Sequence, residues 1–333
     1  MIRKPEQKLI TTPTSIKYKF HSDISPDENS TPFFSLVVYK NNYFISKNYD
    51  DIVEFYKSFE NSEQLIRWMK ERPTGISQLH EIEGNKEIII VIPTSDFEGK
   101  YAKSCREEIF LGHHIIFVES GGKEDFYFNI AHNFNVGFKR ALEYNPKWVI
   151  YSNDDMYKID NSEKLTNELK KLNHKEIMMV FSREASIYHS AHGFLVRRRV
   201  FRNVAFFFVN KYKRFVAYIE KKFNVNYFIF SELNFLGKIL YKKIEAIRLG
   251  IDFCIISGEY IKSKNGKVMD EVYINHLDDS DLSLQFFQQN FVVAEIDYKI
   301  GDFIGSTLGT GPHRMLRSIA SEVYFNNKWK LKS

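Results

Sequence analysis

A chain of 333 residues, 44% hydrophobic and 27% charged, can bury a full core and falls outside the composition of disordered proteins. Its formal charge of +5 is mild, with acids and bases interspersed, which argues against a dedicated nucleic-acid binder. Cys105 and Cys254, the two cysteines, form no zinc-type pair; they read as reduced core thiols, with a single disulfide as the alternative. The start Met1-Ile2-Arg3-Lys4-Pro5 has no apolar signal core, and no apolar run approaches bilayer length. The expectation is a soluble, cytoplasmic protein, with contact at the inner face of the membrane left open. The aromatic content of 16% predicts aromatic packing and ring stacking on a ligand.

Residues 1–32 are polar and carry Pro5, Pro13, Pro26 and Pro32, the pattern of an extended or partly disordered arm. A short hairpin is expected over 33–46, around Asn41-Asn42. Ile52, Phe55, Tyr56, Phe59, Leu65, Trp68 and Met69 predict a helix over 49–72, closed by Pro73-Thr74-Gly75. Residues 1–85 thus read as an N-terminal appendage, and 86–333 as the main domain. The run 88–92 is continuously apolar, as in a strand covered on both faces, and ends at Pro93-Thr94-Ser95-Asp96. A helix over 102–110 follows, then a second buried strand over 114–118 that ends at Glu119-Ser120-Gly121-Gly122. Next comes 126–144, helical in its second half, and a third strand over 148–151. Alternating strands and helices predict an α/β fold: a doubly wound, mostly parallel sheet flanked by helices.

The third strand runs into Asn153-Asp154-Asp155. Adjacent carboxylates at the carboxyl end of a sheet strand repel each other unless a cation or a donor compensates, and hard divalent ions take oxygen ligands. The same residues also suit a solvated turn. Gly121-Gly122 also suits a tight turn, Glu119 a surface carboxylate, and Asn133, Asn135 and Gly137 a helix start. Three consecutive polar strand ends lining one edge favour a ligand crevice.

The stretches 88–96 and 115–122, then Asn135-Val136-Gly137-Phe138 and Asn153-Asp154-Asp155, resemble the successive landmarks of GT-A fold family 2 glycosyltransferases. The resemblance implies that Pro93, Thr94 and Glu119 border the nucleoside. It also implies that Asn153 and Asp155 hold a divalent metal, Mn or Mg, in a DxD-like motif with Asp154 between them. Asn at the first position departs from the acidic pattern and removes one charge. A second block resembles the acceptor side of the same family: 252–256, Gly266-Lys267-Val268-Met269-Asp270-Glu271, then Asp278-Asp279-Ser280-Asp281. By that resemblance Asp279 is the general base, with Asp278 in the position usually held by Glu. An inverting transfer needs such a carboxylate, and a helix start keeps it ionised. Asp278, Asp279 and Asp281 equally suit simple capping of the helix that follows. The His that family members often carry in the last loop is missing from 300–306; Asp302, or His313-Arg314, are the candidates for diphosphate or acceptor contacts.

Residues 183–250 form an insert expected to be helical. Its basic side chains lie mainly between 197 and 222, from Arg197-Arg198-Arg199 to Lys221-Lys222, interleaved with Phe201, Phe206, Phe215 and Tyr218. Packing of the aromatic stripe on the core, contact with a membrane surface and binding of an acidic polymer all fit this pattern. The expected function is inverting, metal-assisted transfer of a sugar from a nucleotide-sugar donor to an acceptor hydroxyl, the acceptor being a glycan or a lipid-linked molecule. The alternatives are a nucleotidyltransferase of related architecture, for which Ser95-Asp96-Phe97-Glu98-Gly99-Lys100 is a poor triphosphate loop, and a non-catalytic carbohydrate-binding protein on the same fold.

Overall fold

The computed structural model describes residues 9–12, 49–122, 125, 127–182, 187–190, 222–223, 246–249, 252–289, 291–303 and 312–329. The expected hairpin over 33–46 and nearly all of the basic insert, its proposed membrane contact included, lie outside them. Of the insert, β8 (Ile187–Ser190) and β9 (Ala246–Leu249) pair antiparallel in a small sheet of their own. Among the described residues no helix is long and apolar enough to cross a membrane.

The centre is an eight-stranded sheet in the order β1-β2-β4-β3-β5-β10-β7-β11. Its strands are β1 (Leu9–Thr12), β2 (Gln78–Ile82), β3 (Asn85–Thr94), β4 (His113–Glu119), β5 (Trp148–Ser152), β7 (Met179–Ser182), β10 (Phe253–Ser257) and β11 (Val293–Ile296). The three buried strands foreseen in the sequence, β3, β4 and β5, pair in parallel. Beyond β5 the sheet is mixed: β10 runs antiparallel to both β5 and β7, while β7 and β11 are parallel. On the other side β2 runs antiparallel to β4, and β1 to β2. Part of the 1–85 segment is therefore woven into the main sheet, since a strand edge with unpaired N–H and C=O groups is satisfied by adding a neighbour.

Alternation along β3 explains its apolar run. Ile89 and Val91 enter one core cluster; Ile88, Ile90 and Ile92 enter the other. Each side chain so buried contributes roughly 2 kcal/mol of hydrophobic stabilisation. The first face is covered by α4 (Ile130–Leu142), α6 (Gly258–Ser263) and α7 (Asp278–Gln288). The second is covered by α3 (Lys100–Ser104), which runs on as a π turn over Cys105–Ile109, and by α5 (Ser162–Lys170). A two-stranded ribbon of β6 (Met156–Lys158) and β12 (Ile300–Asp302) lies on that second side, with Met156 and Ile300 in its core.

The helix expected over 49–72 is two helices, α1 (Tyr49–Lys57) and α2 (Ser62–Glu71). Asn61 breaks the run by accepting the Gln64 N–H as an N-cap. Phe55, Phe59 and Trp68 pack edge to face across the break. Both helices meet the C-terminal α8 (Pro312–Lys328), where the Ala320 N–H donates to the Tyr56 hydroxyl at 2.9 Å. Cys105 and Cys254 are buried free thiols.

Candidate functional site

The carboxyl ends of β3, β4, β5 and β7 lie along one edge of the sheet, because those strands share a direction. β10 runs the other way, so its beginning lands on the same edge. That places Asp252, the residue before β10, beside the end of β5. The Asn153 N–H donates to the Asp252 carbonyl at 3.0 Å, and the Asn153 amide donates to Asp252 Oδ1 at 2.9 Å. Asp252 had no assigned role in the sequence. Only the direction of its strand reveals it, and no residue pattern announces that direction.

Asp252 is the meeting point of the acids. Burial raises its carboxyl far above the usual range; a shared hydrogen bond with Asp302 and the charges of Asp302, Asp279 and Asp155 raise it further. Acids from the β5 turn, the end of β12 and the start of α7 are thereby within electrostatic reach of Asp252, at the start of β10. Asp302 Oδ1 is buried with no hydrogen-bond donor. The Asp155 carbonyl accepts the Phe303 N–H at 2.9 Å, which ties the ribbon to the β5 turn.

Asp154 points away into the second core face. Its carboxylate accepts the Thr94 hydroxyl at 2.7 Å, and its carbonyl accepts the Cys105 thiol at 3.3 Å. Burial raises it to about 6, the Thr94 bond opposing that rise and Asp155 adding to it. Thr94 is thus spent on Asp154, and Pro93 is half-buried within β3. Glu119 is also engaged: Oε1 accepts the Phe97 N–H at 3.1 Å, and Oε2 lies 2.8 Å from His80 Nε2.

Asp278 and Asp279 open α7 as expected. Asp278 is buried, and burial followed by the charge of Asp279 raises its carboxyl. Asp279, half-buried, accepts the Ser280 N–H at 2.6 Å and lies close enough to lift the buried Tyr151 hydroxyl after desolvation. The backbone of His313 and Arg314 falls in the first turn of α8; their side chains lie outside the described residues.

The Asn135-x-Gly137 landmark has a structural role. Asn135 Oδ1 accepts the N–H groups of Val268 and Met269, and its amide donates to the Met269 carbonyl and to Glu271. Glu271 also meets His132 Nδ1 at 2.9 Å. One side chain on α4 therefore fastens the turn that leads to α7, which links the two halves of the sequence pattern.

The donor set near Asp252 suits a hard divalent cation: carboxylate oxygens, one of them without a donor. Among the described residues no three His, Cys, Asp or Glu side chains form a group that could hold a metal ion. Of the expected ligands Asp155 stands in the acidic cluster, whereas Asn153 commits its amide to Asp252. Compared with known proteins, the chain matches no family model and no curated protein.

Proposed function

We propose that the chain is a glycosyltransferase that uses a nucleotide-sugar donor, of the GT-A type, transferring the sugar with inversion to an acceptor hydroxyl. The observation that carries this reading is that three acids from three separate elements, Asp155, Asp302 and Asp279, act on the carboxyl of Asp252, which a fourth element supplies and Asn153 meets at 2.9 Å. A cluster of that kind costs stability unless something positive or protonated neutralises it. A divalent cation bound there would supply charge neutralisation for a departing diphosphate.

The chain's own residues divide the remaining work. A cation there would take Asp155 and one further carboxylate, Asp252 or Asp302, from the protein and complete its shell with donor phosphates, with Asp154 and Thr94 bracing the β5 turn from behind. Asp279, at the start of α7, would take the proton from the acceptor hydroxyl. Separate positions for cation-holding and proton-accepting carboxylates are what inverting transfer requires. A nucleotidyltransferase has less support, because the loop after β3 uses Asp96 to receive the Glu98 N–H and offers no glycine-rich cradle.

Activity is testable without knowing the acceptor, because water accepts sugars slowly. Hydrolysis of UDP-, GDP- and dTDP-sugars with Mn²⁺ should be detectable for at least one donor. Asp279→Asn should lower that turnover at least 100-fold, the usual loss for a general base, while donor affinity stays within about threefold. Full turnover in Asp279→Asn would place the base elsewhere. No donor bound or hydrolysed would overturn the transferase reading.

A further inference from the structure

The ribbon beside the acids carries an aromatic surface that the chemistry above does not use. Strand alternation turns Met156 into the core and Tyr157 outward, 1% and 40% exposed. Tyr157 lies opposite Gly301, and a Cβ at Gly301 would come within 2.0 Å of the phenol ring. Glycine there lets the ring lie flat across the ribbon. Phe303, 52% exposed, sits 4.9 Å from Tyr157 with the rings tilted by 48°. Tyr101 of α3 closes the third side, 6.3 Å from Phe303 and tilted by 41°. Three elements thus build one shallow aromatic cup open to solvent.

The cup continues the acidic edge. Phe303 directly follows Asp302, and its N–H is held by the Asp155 carbonyl at 2.9 Å. The cup's own cation, Lys100, is already placed 4.6 Å from the centre of the Tyr101 ring, and the neighbouring acids repel anions that come without a cation. What remains is a surface for a neutral, hydroxylated ligand with an apolar face. Rings inclined to each other receive a puckered ring whose C–H bonds point at both π faces, whereas a flat base prefers parallel stacking. Asp302, half-buried and next to Phe303 in the chain, is the nearest carboxylate to the rings for a ligand hydroxyl.

We propose that Tyr157 and Phe303, backed by Tyr101, form the subsite for a pyranose ring of the acceptor, so that the acceptor is a saccharide. This deepens the transferase reading and rests on it. The two are separable by experiment. Saturation-transfer difference NMR on the full chain would use methyl glycosides of glucose, galactose, mannose and N-acetylglucosamine as probes, with UDP plus Mn²⁺ as a separate ligand. At least one glycoside should receive saturation on its ring C–H protons. Phe303→Ala and Tyr157→Ala should each weaken it at least fivefold, Phe303→Trp should retain it, and UDP binding should not change. Both replaced side chains lie on the surface, Tyr157 40% and Phe303 52% exposed, so melting temperatures should stay close to that of the parent protein. No glycoside signal, or unchanged glycoside affinity in both alanine variants, overturns the subsite. Loss of UDP instead of glycoside would give the cup to a nucleobase and overturn it too. Glycoside binding with no nucleotide or nucleotide sugar ever bound would leave the subsite standing and remove the transferase.

Discussion

Glu81 shows how a single residue can carry more stability than its sequence position suggests. Its carboxylate is sealed from solvent between β4 and α4, meeting His114 Nε2 at 2.9 Å, Arg140 Nε at 2.7 Å and the Tyr144 hydroxyl at 2.7 Å. Burial alone would raise it; the bonds from His114, Tyr144 and Arg140 outweigh that and hold it at about 2. A folded value below the unfolded one, about 4.3, means the stabilisation is complete above that pH and is lost as pH falls through 2. Glu81→Gln should cost about 3 kcal/mol at pH 7 and flatten the acid limb of the stability curve between those values, as measured by urea unfolding across pH. None of this was legible in the sequence, because Glu81 sits in an unremarked stretch and its partners come from distant elements. Asp252 escaped for a related reason: it precedes a strand whose direction only the sheet defines. Asn153, Asp154 and Asp155 were legible as a group, since an abrupt run of oxygen-bearing side chains after an apolar strand is a local signal. Their division of labour was not. Whether an acid faces the crevice or braces against Thr94 depends on contacts across the sheet.

At the scale of elements, close approach and clasping decide where the acids stand. Gly137 lets α4 lie directly on β3, for a Cβ there would come within 2.2 Å of Val91. Gly137→Ala should overpack that contact and destabilise by about 2 kcal/mol, read from the shift in denaturant midpoint at unchanged slope. The start of α7 is held from the other side by α8 and the residue after it. Asp281, fully buried, accepts from the Tyr273 hydroxyl at 2.9 Å, Gln285 at 2.6 Å, Lys328 Nζ at 2.8 Å and Trp329 Nε1 at 2.9 Å. Lys328 also donates to Asp270, 2.7 Å away. Lys328→Met removes the cation that Asp270 and Asp281 share and should cost about 3 kcal/mol in thermal unfolding; a shift below about 0.5 kcal/mol would show that the clasp is incidental. Apolar periodicity made α4, β3, β4 and β5 readable. It failed at 49–72, where a polar Asn61 inside a helical pattern acts as a cap and divides the helix.

For the whole molecule, the parallel centre β4-β3-β5 was predictable from buried runs with polar ends, and the edge they share follows from it. The antiparallel entry of β10, and the threading of β1 and β2 into the sheet, were not, because pairing partners far apart in the chain leave no local periodicity. That unforeseen strand supplies the acid on which the others converge. The direct measurement is calorimetric titration of UDP-, GDP- and dTDP-sugars into the wild-type chain, Asp155→Ala and Asp252→Asn, each with and without Mn²⁺. In the wild type, Mn²⁺ should tighten binding of one donor at least tenfold, about 1.4 kcal/mol, and that gain should vanish in both variants. Donor binding that ignores Mn²⁺, or a gain that survives both substitutions, would contradict an acid-held cation at this edge.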